Sequence, residues 1–324
     1  MHIDVFNGDA DGLCALHQWR LAHPAAARRV TGVKRDVRLL AQVQARPGDV
    51  VTVFDIALRD NLADARRLLG EGATLIYFDH HESAALEPSP SVELHLDASP
   101  EVCTSLLVDR ALGGTHRPWA VVAAFGDNLA AVAEREAERL GLAQGAREAL
   151  AELGRLLNYN AYGDRLSDLH FHPAALYEAI RPYRDPLQCW REAKEVPVLR
   201  AAYERDWAQA AACAPLRSGG GALATLLPAE PWARRIHGVL ANALSTQAAD
   251  RAVAVLVENE DGTVRVSVRA ARTRPSGADR LCRFFPTGGG RALAAGIERL
   301  PRDRVDEFLG RFERECGRSA GADR

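Results

Sequence analysis

The first half of the chain alternates short, β-branched apolar runs with stretches of helical spacing. The runs are "HIDVF", "RVTGV", "DVVTVFD", "ATLIYFD" and "VELHLD". Between the first two, "GLCALHQWRLAH" places apolar residues at helical intervals. Between the third and fourth, "NLADARRLLGEG" does the same and ends in glycine, as a helix should. Strands alternating with helices predict parallel βαβ units in a doubly wound α/β sheet. In such a sheet ligands bind in the crevice beyond the carboxyl ends of the strands. Polar clusters stand at those ends: Asp9 and Asp11 after the first run, Asp55 closing the third, and Asp79, His80 and His81 closing the fourth. A buried charge without a partner is strongly unfavourable, so three strands ending this way predict one shared site.

Beyond residue 97 the pattern becomes mainly helical. "ASPEVCTSLLVDRAL" predicts a helix capped by Ser99 with Pro100 at its first position, and further helices are expected over 118–138, 145–159 and 173–181. "LQCWREAKEVPVLRAAYERDWAQAAACA" predicts a long helix, interrupted at Pro197, that leads into the break "PLRSGGGA". After it, "ALATLLP", a hairpin turning on Asp261-Gly262, and "FFPTGGGRALAAGI" predict a smaller α/β unit with a mixed sheet. The expected layout is a first domain over 1–184, a helical connector over 185–215 and a second domain over 216–324.

Composition narrows the classes. A length of 324 residues suits two domains, and 47% apolar content supports substantial cores. Lys plus Arg number 41 against 43 acids, which argues against a long duplex-DNA footprint. No apolar run approaches the ~20 residues of a membrane span. "MHIDVFNGDA" carries a carboxylate where a signal peptide would be apolar, so a cytoplasmic protein without membrane association is expected. The six cysteines, Cys14, Cys103, Cys189, Cys213, Cys282 and Cys316, form no CxxC pair. They suggest neither a zinc knuckle nor a disulfide framework and read as packing residues.

Asp9, Asp11, Asp55, Asp79, His80 and Asp127 together offer hard oxygen donors and an imidazole. That set suits Mn²⁺ or Mg²⁺, and the histidine tilts the choice towards Mn²⁺. Two such ions about 3.5–4 Å apart can clamp a phosphoryl group during in-line displacement. Singly the motifs are weak: most DxDG strings are turns, and adjacent histidines often cap a strand in solvent. Jointly, in this order and at strand ends, they favour a metal centre.

In these motifs the chain resembles the DHH phosphoesterases, a family that includes RecJ-type exonucleases, nanoRNase-type oligoribonucleases, cyclic-dinucleotide phosphodiesterases and manganese pyrophosphatases. The resemblance covers nearly the whole chain. "NGDADG" looks like the first family motif, Asp55 falls where the second carries its aspartate, "DHH" at 79–81 is the third, and "AAFGDNLA" with Asp127 looks like the fourth. The resemblance implies that Asp11, Asp55, His80 and Asp127 bind one metal and that Asp9 and Asp55 bind the other, with Asp55 as the bridge. It implies further that His81 faces the substrate phosphate and that Asp79 orients the histidines. "TGGGRALAAGI" looks like the glycine signature of the DHH-associated domain. There Gly288, Gly289 and Gly290 would let backbone amides approach a phosphate or carboxylate, and a following helix would add its dipole. Arg269 in "VSVRA" would grip a phosphate bidentately.

Two departures stand out. Upstream of Asp9 the family site has another histidine or acid, whereas this chain has Val5 and Asn7. Asn7 offers at most a neutral oxygen, which leaves the first metal site weak or dependent on substrate. The glycine signature continues with histidine in the family and with Arg291 here, which keeps its charge at every pH and suits an anionic end group.

The implied activity is manganese-dependent hydrolysis of short phosphodiesters, such as short oligonucleotides or dinucleotides, by two-metal attack of a bound hydroxide. Residues 1–184 would carry the chemistry and 216–324 the substrate grip. The alternatives are a nucleoside-phosphate phosphatase, an exopolyphosphatase or a pyrophosphatase of the same family, and, in another class, a non-catalytic nucleotide-binding regulator. Oligomeric state is left open, a homodimer included. "NYNAYGDRLSDLHFHP", with Asp164, Asp168, His170 and His172, reads as helix caps and a turn, and Trp190 and Trp207 read as packing. His2, His17, His95 and His116 carry no sign of a partner.

Overall fold

The computed structural model describes residues 1–82, 84–219 and 221–317. Gly220, within the glycine break, and residues 318–324, at the end of the expected second domain, lie outside the described residues. The chain divides into two compact units, Met1–Ala201 and Ala202–Arg324. No described helix is long and apolar enough to cross a membrane.

The first unit is built on five parallel strands: β1 (His2–Asn7), β2 (Ala27–Gly32), β3 (Val50–Phe54), β4 (Thr74–Asp79) and β5 (Val92–Leu96). Their order in the sheet is β2-β1-β3-β4-β5. β1, β3 and β4 are inner strands and read as near-continuous apolar runs because helices cover both faces of a parallel sheet. Ile3, Val5, Val51, Val53, Leu75 and Tyr77 are buried in one core cluster. α1 (Ala10–Ala22) follows β1, and α2 (Leu58–Gly70) joins β3 to β4. The strand order reverses between β1 and β3, which makes their carboxyl ends the switch point where such sheets form a crevice.

After β5 come α3 (Thr104–Ala111), α4 (Arg117–Gly126), α5 (Ala130–Arg139), α6 (Gln144–Ala161), α7 (Pro173–Ile180), α8 (Pro186–Glu192) and α9 (Glu195–Ala212). Three expectations are corrected. Ser99 is not the cap of α3; the helix begins at Thr104, because the carboxylate that meets its first amides is Asp11, far away in sequence. The helix expected over 118–138 is two helices, broken where Asn128 takes a left-handed φ of 64°. The long connector helix breaks at Ala193 and Lys194 rather than at Pro197, which sits in the first turn of α9, where a missing N–H forfeits no helical bond.

The second unit holds a mixed sheet of order β10-β11-β9-β8-β7-β6. Its strands are β6 (Pro215–Gly219), β7 (Ala222–Leu227), β8 (Ala252–Glu258), β9 (Val264–Arg269), β10 (Gly288–Gly290) and β11 (Ala294–Leu300). α10 (Pro231–Gln247) is the crossover between the parallel pair β7 and β8; α11 (Ala278–Arg283) and α12 (Val305–Phe312) complete the unit. The Asp261-Gly262 hairpin forms as expected, with Gly262 at φ 79° and Asp261 accepting from the Thr263 amide. The helix expected after the glycine run is absent. Gly288–Gly290 is itself a strand, hairpin-paired with β11 through Gly289 opposite Gly296. Its place is set by packing: a Cβ on Gly288 would lie 1.8 Å from the Cys282 carbonyl of α11.

All six cysteines are free, and five of them are buried. Contrary to the sequence reading, His17 does have a partner. It is buried, with Nε2 2.8 Å from the Tyr183 carbonyl and its ring edge-on to Trp119. Burial pushes its pKa from 6.5 down to about 4, although the Tyr183 carbonyl opposes the shift. The unfolded chain therefore binds more protons between those values, and stability present above pH 6.5 is lost as pH falls towards 4. The full effect is about 3 kcal/mol. His17→Asn, which can still donate to Tyr183 but cannot titrate there, is expected to flatten urea-unfolding stability between pH 7.5 and 5. An unchanged pH slope in the variant would refute the assignment.

Candidate metal centre

The strand ends bring together Asp9, Asp11, Asp55, Asp79, His80 and His81, and the end of α4 adds Asp127. Asp9 is the N-cap of α1, its Oδ1 accepting from the amides of Asp11 and Gly12. Asp11 turns back to α3, where its two oxygens each accept from a backbone amide, Thr104 and Ser105, at 2.7 Å. Asp55 follows β3 in a left-handed conformation, φ 58°, which an aspartate tolerates better than most residues at a cost of order 1 kcal/mol. Its Oδ1 accepts from the Thr104 hydroxyl at 3.1 Å. Asp127 is the C-cap residue of α4, where the helix dipole disfavours a negative charge.

The histidines are oriented by their second nitrogens or by neighbours. His80 Nδ1 lies 2.9 Å from the Val102 carbonyl, and its Nε2 lies 3.4 Å from Asp55 and 3.9 Å from Asp127. His81 Nδ1 pairs with Asp79 at 2.7 Å, which leaves Nε2 as the ring's other polar atom. Asp79 is fully buried, and its second oxygen accepts from the Leu58 amide at the start of α2. Among the described residues, two donor groups converge closely enough for an ion: Asp55, His80 and His81, and Asp11, His80 and Asp127. Donors about 2.1 Å from one ion stand about 3–3.5 Å apart, so the His80–Asp55 separation suits a shared cation.

The electrostatics point the same way. Burial first, then the charges of Asp9, Asp11 and Asp127, push the Asp55 carboxyl well above its usual range. Burial likewise raises Asp127, with Lys34 and His80 opposing. For His81 burial works against the proton, but the hydrogen bond and charge of Asp79 and the charge of Asp127 outweigh it and raise the pKa. Three buried or half-buried carboxylates beside one imidazole are short of positive charge. Together with the oxygen-rich donor set, this fits a divalent ion held at the two donor groups that share His80.

Lys34, two residues past β2, was not singled out from the sequence. Its ammonium forms an ion pair with Asp9 Oδ2, lies 3.9 Å from Asp127, and donates to Asn158 at 3.3 Å. Burial disfavours its charge, yet Asp9, Tyr162 and Asp127 raise its pKa well above the ordinary value. The same ammonium holds Asp9 below its usual range against burial. Applying the strand-end logic to β2 as well as to β1, β3 and β4 leads to this residue. Thr104 and Ser105 carried no motif. Asn7 sits beside the centre, its Oδ1 taking the Asp9 amide and its Nδ2 donating to the Lys34 carbonyl.

In the second unit, Arg269 ends β9 with Nε on Asn242, and the exposed Arg291 occupies the β10–β11 turn. Arg269 pairs with Ala294, whose carbonyl accepts from the Arg291 amide, so both belong to one end of that sheet. The cluster "NYNAYGDRLSDLHFHP" is structural: His172 caps α7, Asp168 accepts from the Asp164 amide, and His170 bonds the Tyr159 hydroxyl. Trp190 donates to Glu152, and Trp207 packs beside Tyr203.

The fold is shared with solved structures of exonuclease RecJ and of a pGpG-specific phosphodiesterase. Manganese-bound exonuclease RecJ matches over 98% of this chain and 90% of its own, at 18% identity and a TM-score of 0.51. RecJ of Thermus thermophilus in complex with Mn²⁺ matches at 18% identity and a TM-score of 0.59, over 97% of this chain, which spans 51% of that longer one. The pGpG-specific phosphodiesterase PggH of Vibrio cholerae matches at 13% identity and 0.58, over 98% and 99% of the two chains. No protein-family model and no curated protein matches the sequence. At these identities the likeness establishes the fold.

Proposed function

We propose that the protein is a divalent-metal-dependent phosphoesterase that hydrolyses short phosphodiesters, with Mn²⁺ favoured over Mg²⁺. The observation that carries this reading is the convergence of Asp11, His80 and Asp127, and of Asp55, His80 and His81, at the β1/β3 switch point. A divalent ion there supplies Lewis acidity towards phosphoryl oxygens and access to a nucleophile at neutral pH. His81, held by Asp79 and kept basic by it, presents a proton to the phosphoryl group and stabilises the charge that develops. Asp11, fixed by two α3 amides, keeps its place on the ion without rearrangement. Residues 1–184 form the catalytic part, 185–215 the connector and 216–324 the substrate-binding part. In the last of these, Arg269 and Arg291, at the end of the sheet beside the glycine strand, grip the anionic end of a short oligonucleotide or dinucleotide, whereas the Gly288 amide is taken by the Phe285 carbonyl. RecJ and PggH, which share the fold, are an exonuclease and a pGpG-specific phosphodiesterase, and this supports a nucleotide substrate.

The test is an assay of purified protein with Mn²⁺ against short RNAs, linear and cyclic dinucleotides, nucleoside phosphates, polyphosphate and pyrophosphate. Mononucleotide release from a short phosphodiester is expected, with loss of turnover in excess chelator. Product from none of the panel would overturn the proposal, and full activity in metal-free protein would overturn its metal dependence.

A further inference from the structure

The geometry points to Lys34 as a built-in replacement for a second cation, so that the centre takes one divalent ion and Asp9 ligates none. The inference rests on the metal-centre reading above and departs from the two-ion arrangement that the sequence resemblance implies. Asp9 differs from Asp11 in its partners: both oxygens of Asp11 meet only neutral amides, whereas Asp9 Oδ2 is paired with the Lys34 ammonium, a cation standing where a metal would have to sit. Neither group of converging donors among the described residues includes Asp9, and both share His80.

Lys34 is held from several sides. Its amide donates to the Ala161 carbonyl at 2.9 Å, its carbonyl accepts from Asn7 Nδ2, and its ammonium reaches Asp9 and Asn158 and lies 5.6 Å from the Tyr162 ring centre. Asn7 is the telling residue. It stands near the position where the resemblance expects another acid or histidine, yet its Oδ1 takes the Asp9 amide. A potential ligand position is thus used to fasten the segment that delivers the ammonium. The two departures fit one change: a neutral side chain removes a ligand, and a cation fills the gap. A second dication beside Asp9 would have to displace the ammonium or endure its repulsion at close range. The ammonium keeps a fixed positive charge next to Asp127 that no chelator removes, and it presents donors to a phosphoryl oxygen.

The experiment counts ions rather than turnover. Metal-stripped protein is titrated with Mn²⁺ and followed by elemental analysis and electron paramagnetic resonance. The wild type is expected to bind one ion per chain with the spectrum of an isolated Mn²⁺. Lys34→Arg, which keeps the charge, should also bind one. The paired variant Asn7→Asp with Lys34→Ala should bind two, with an exchange-coupled spectrum. Two coupled ions in the wild type would overturn the role of Lys34 and leave the metal-dependent reading standing. No bound ion in the wild type would overturn that reading itself. One ion in a folded paired variant would overturn the assignment to Lys34. Should that variant fail to fold, Lys34→Gln takes its place. It is expected to admit a second ion at higher Mn²⁺ concentration, and a count fixed at one throughout overturns the inference.

Discussion

Asp55→Asn is expected to lower turnover by about a thousand-fold or more while making the metal-free protein more stable. The shape of the site should survive the change. Asparagine accepts the left-handed conformation at φ 58° as readily as aspartate, and its carbonyl oxygen can still take the Thr104 hydroxyl. What disappears is one charge, from a position beside Asp9, Asp11 and Asp127 where burial and those neighbours already disfavour it. With an ion bound, the charge is the reason the ion stays. Without one, it is a repulsion.

The pH dependence follows from the direction of that shift. An acid whose folded-state pKa is raised contributes stability in full below its ordinary pKa and loses it as pH rises through the raised value. Asparagine stays neutral throughout. In chelator, the variant should therefore melt with the wild type at acid pH and above it at pH 8. Melting curves at both pH values, with metal content and turnover of the loaded protein, check the prediction. Wild-type metal binding in the variant would remove Asp55 from the ligand set. A lower melting point in chelator at pH 8 would show that its charge is compensated by something other than an ion.

The inner sheet was legible because buried parallel strands have a plain signature, and because a strand that ends in acids and histidines is costly unless something shares them. The start of α3 was not. Its amides are met by Asp11, 93 residues away from Thr104, and no local pattern records a cap supplied from such a distance. The break at Asp127 and Asn128 was missed although Gly126 stands just before it, because the left-handed position that makes the turn falls on Asn128 and not on the glycine. "RALAAGI" has good helical propensity, yet Ala295 and Ile297 bury alternate positions of β11 against the second core, and pairing with β9 overrides the preference. Lys34 was invisible for the opposite reason to Asp55. Its carboxylate partners advertise themselves as a cluster, whereas one lysine after an edge strand looks like solvated surface until Asp9 is placed against it.

Gly12→Ala is expected to destabilise the protein by about 3 kcal/mol or more and to disable the centre with it. Gly12 is the third helical residue of α1, and a Cβ there would lie 2.2 Å from the Asn7 carbonyl oxygen and 2.9 Å from the Asn7 nitrogen. These are backbone atoms at the end of β1, so no side chain can swing away; the helix start itself must retreat by nearly an ångström. That retreat pulls the amides of Asp11 and Gly12 off Asp9 Oδ1, a cap whose loss alone costs about 1 kcal/mol. It also strains the paired bonds from Asp11 to the amides of Thr104 and Ser105, where charge-assisted contacts are worth about 1.5–3 kcal/mol each. The glycine of "DADG" is thus required by the close approach of helix to strand, and the metal ligands depend on that approach. Gly289→Ala is the control, because its Cβ would meet nothing within 4 Å, and its stability should stay within about 0.5 kcal/mol of wild type. Urea unfolding of the three proteins, with Mn²⁺ titration of each, separates the cases. A Gly12→Ala protein within about 1 kcal/mol of wild type that still binds metal would mean that α1 can retreat without carrying Asp9 and Asp11 with it.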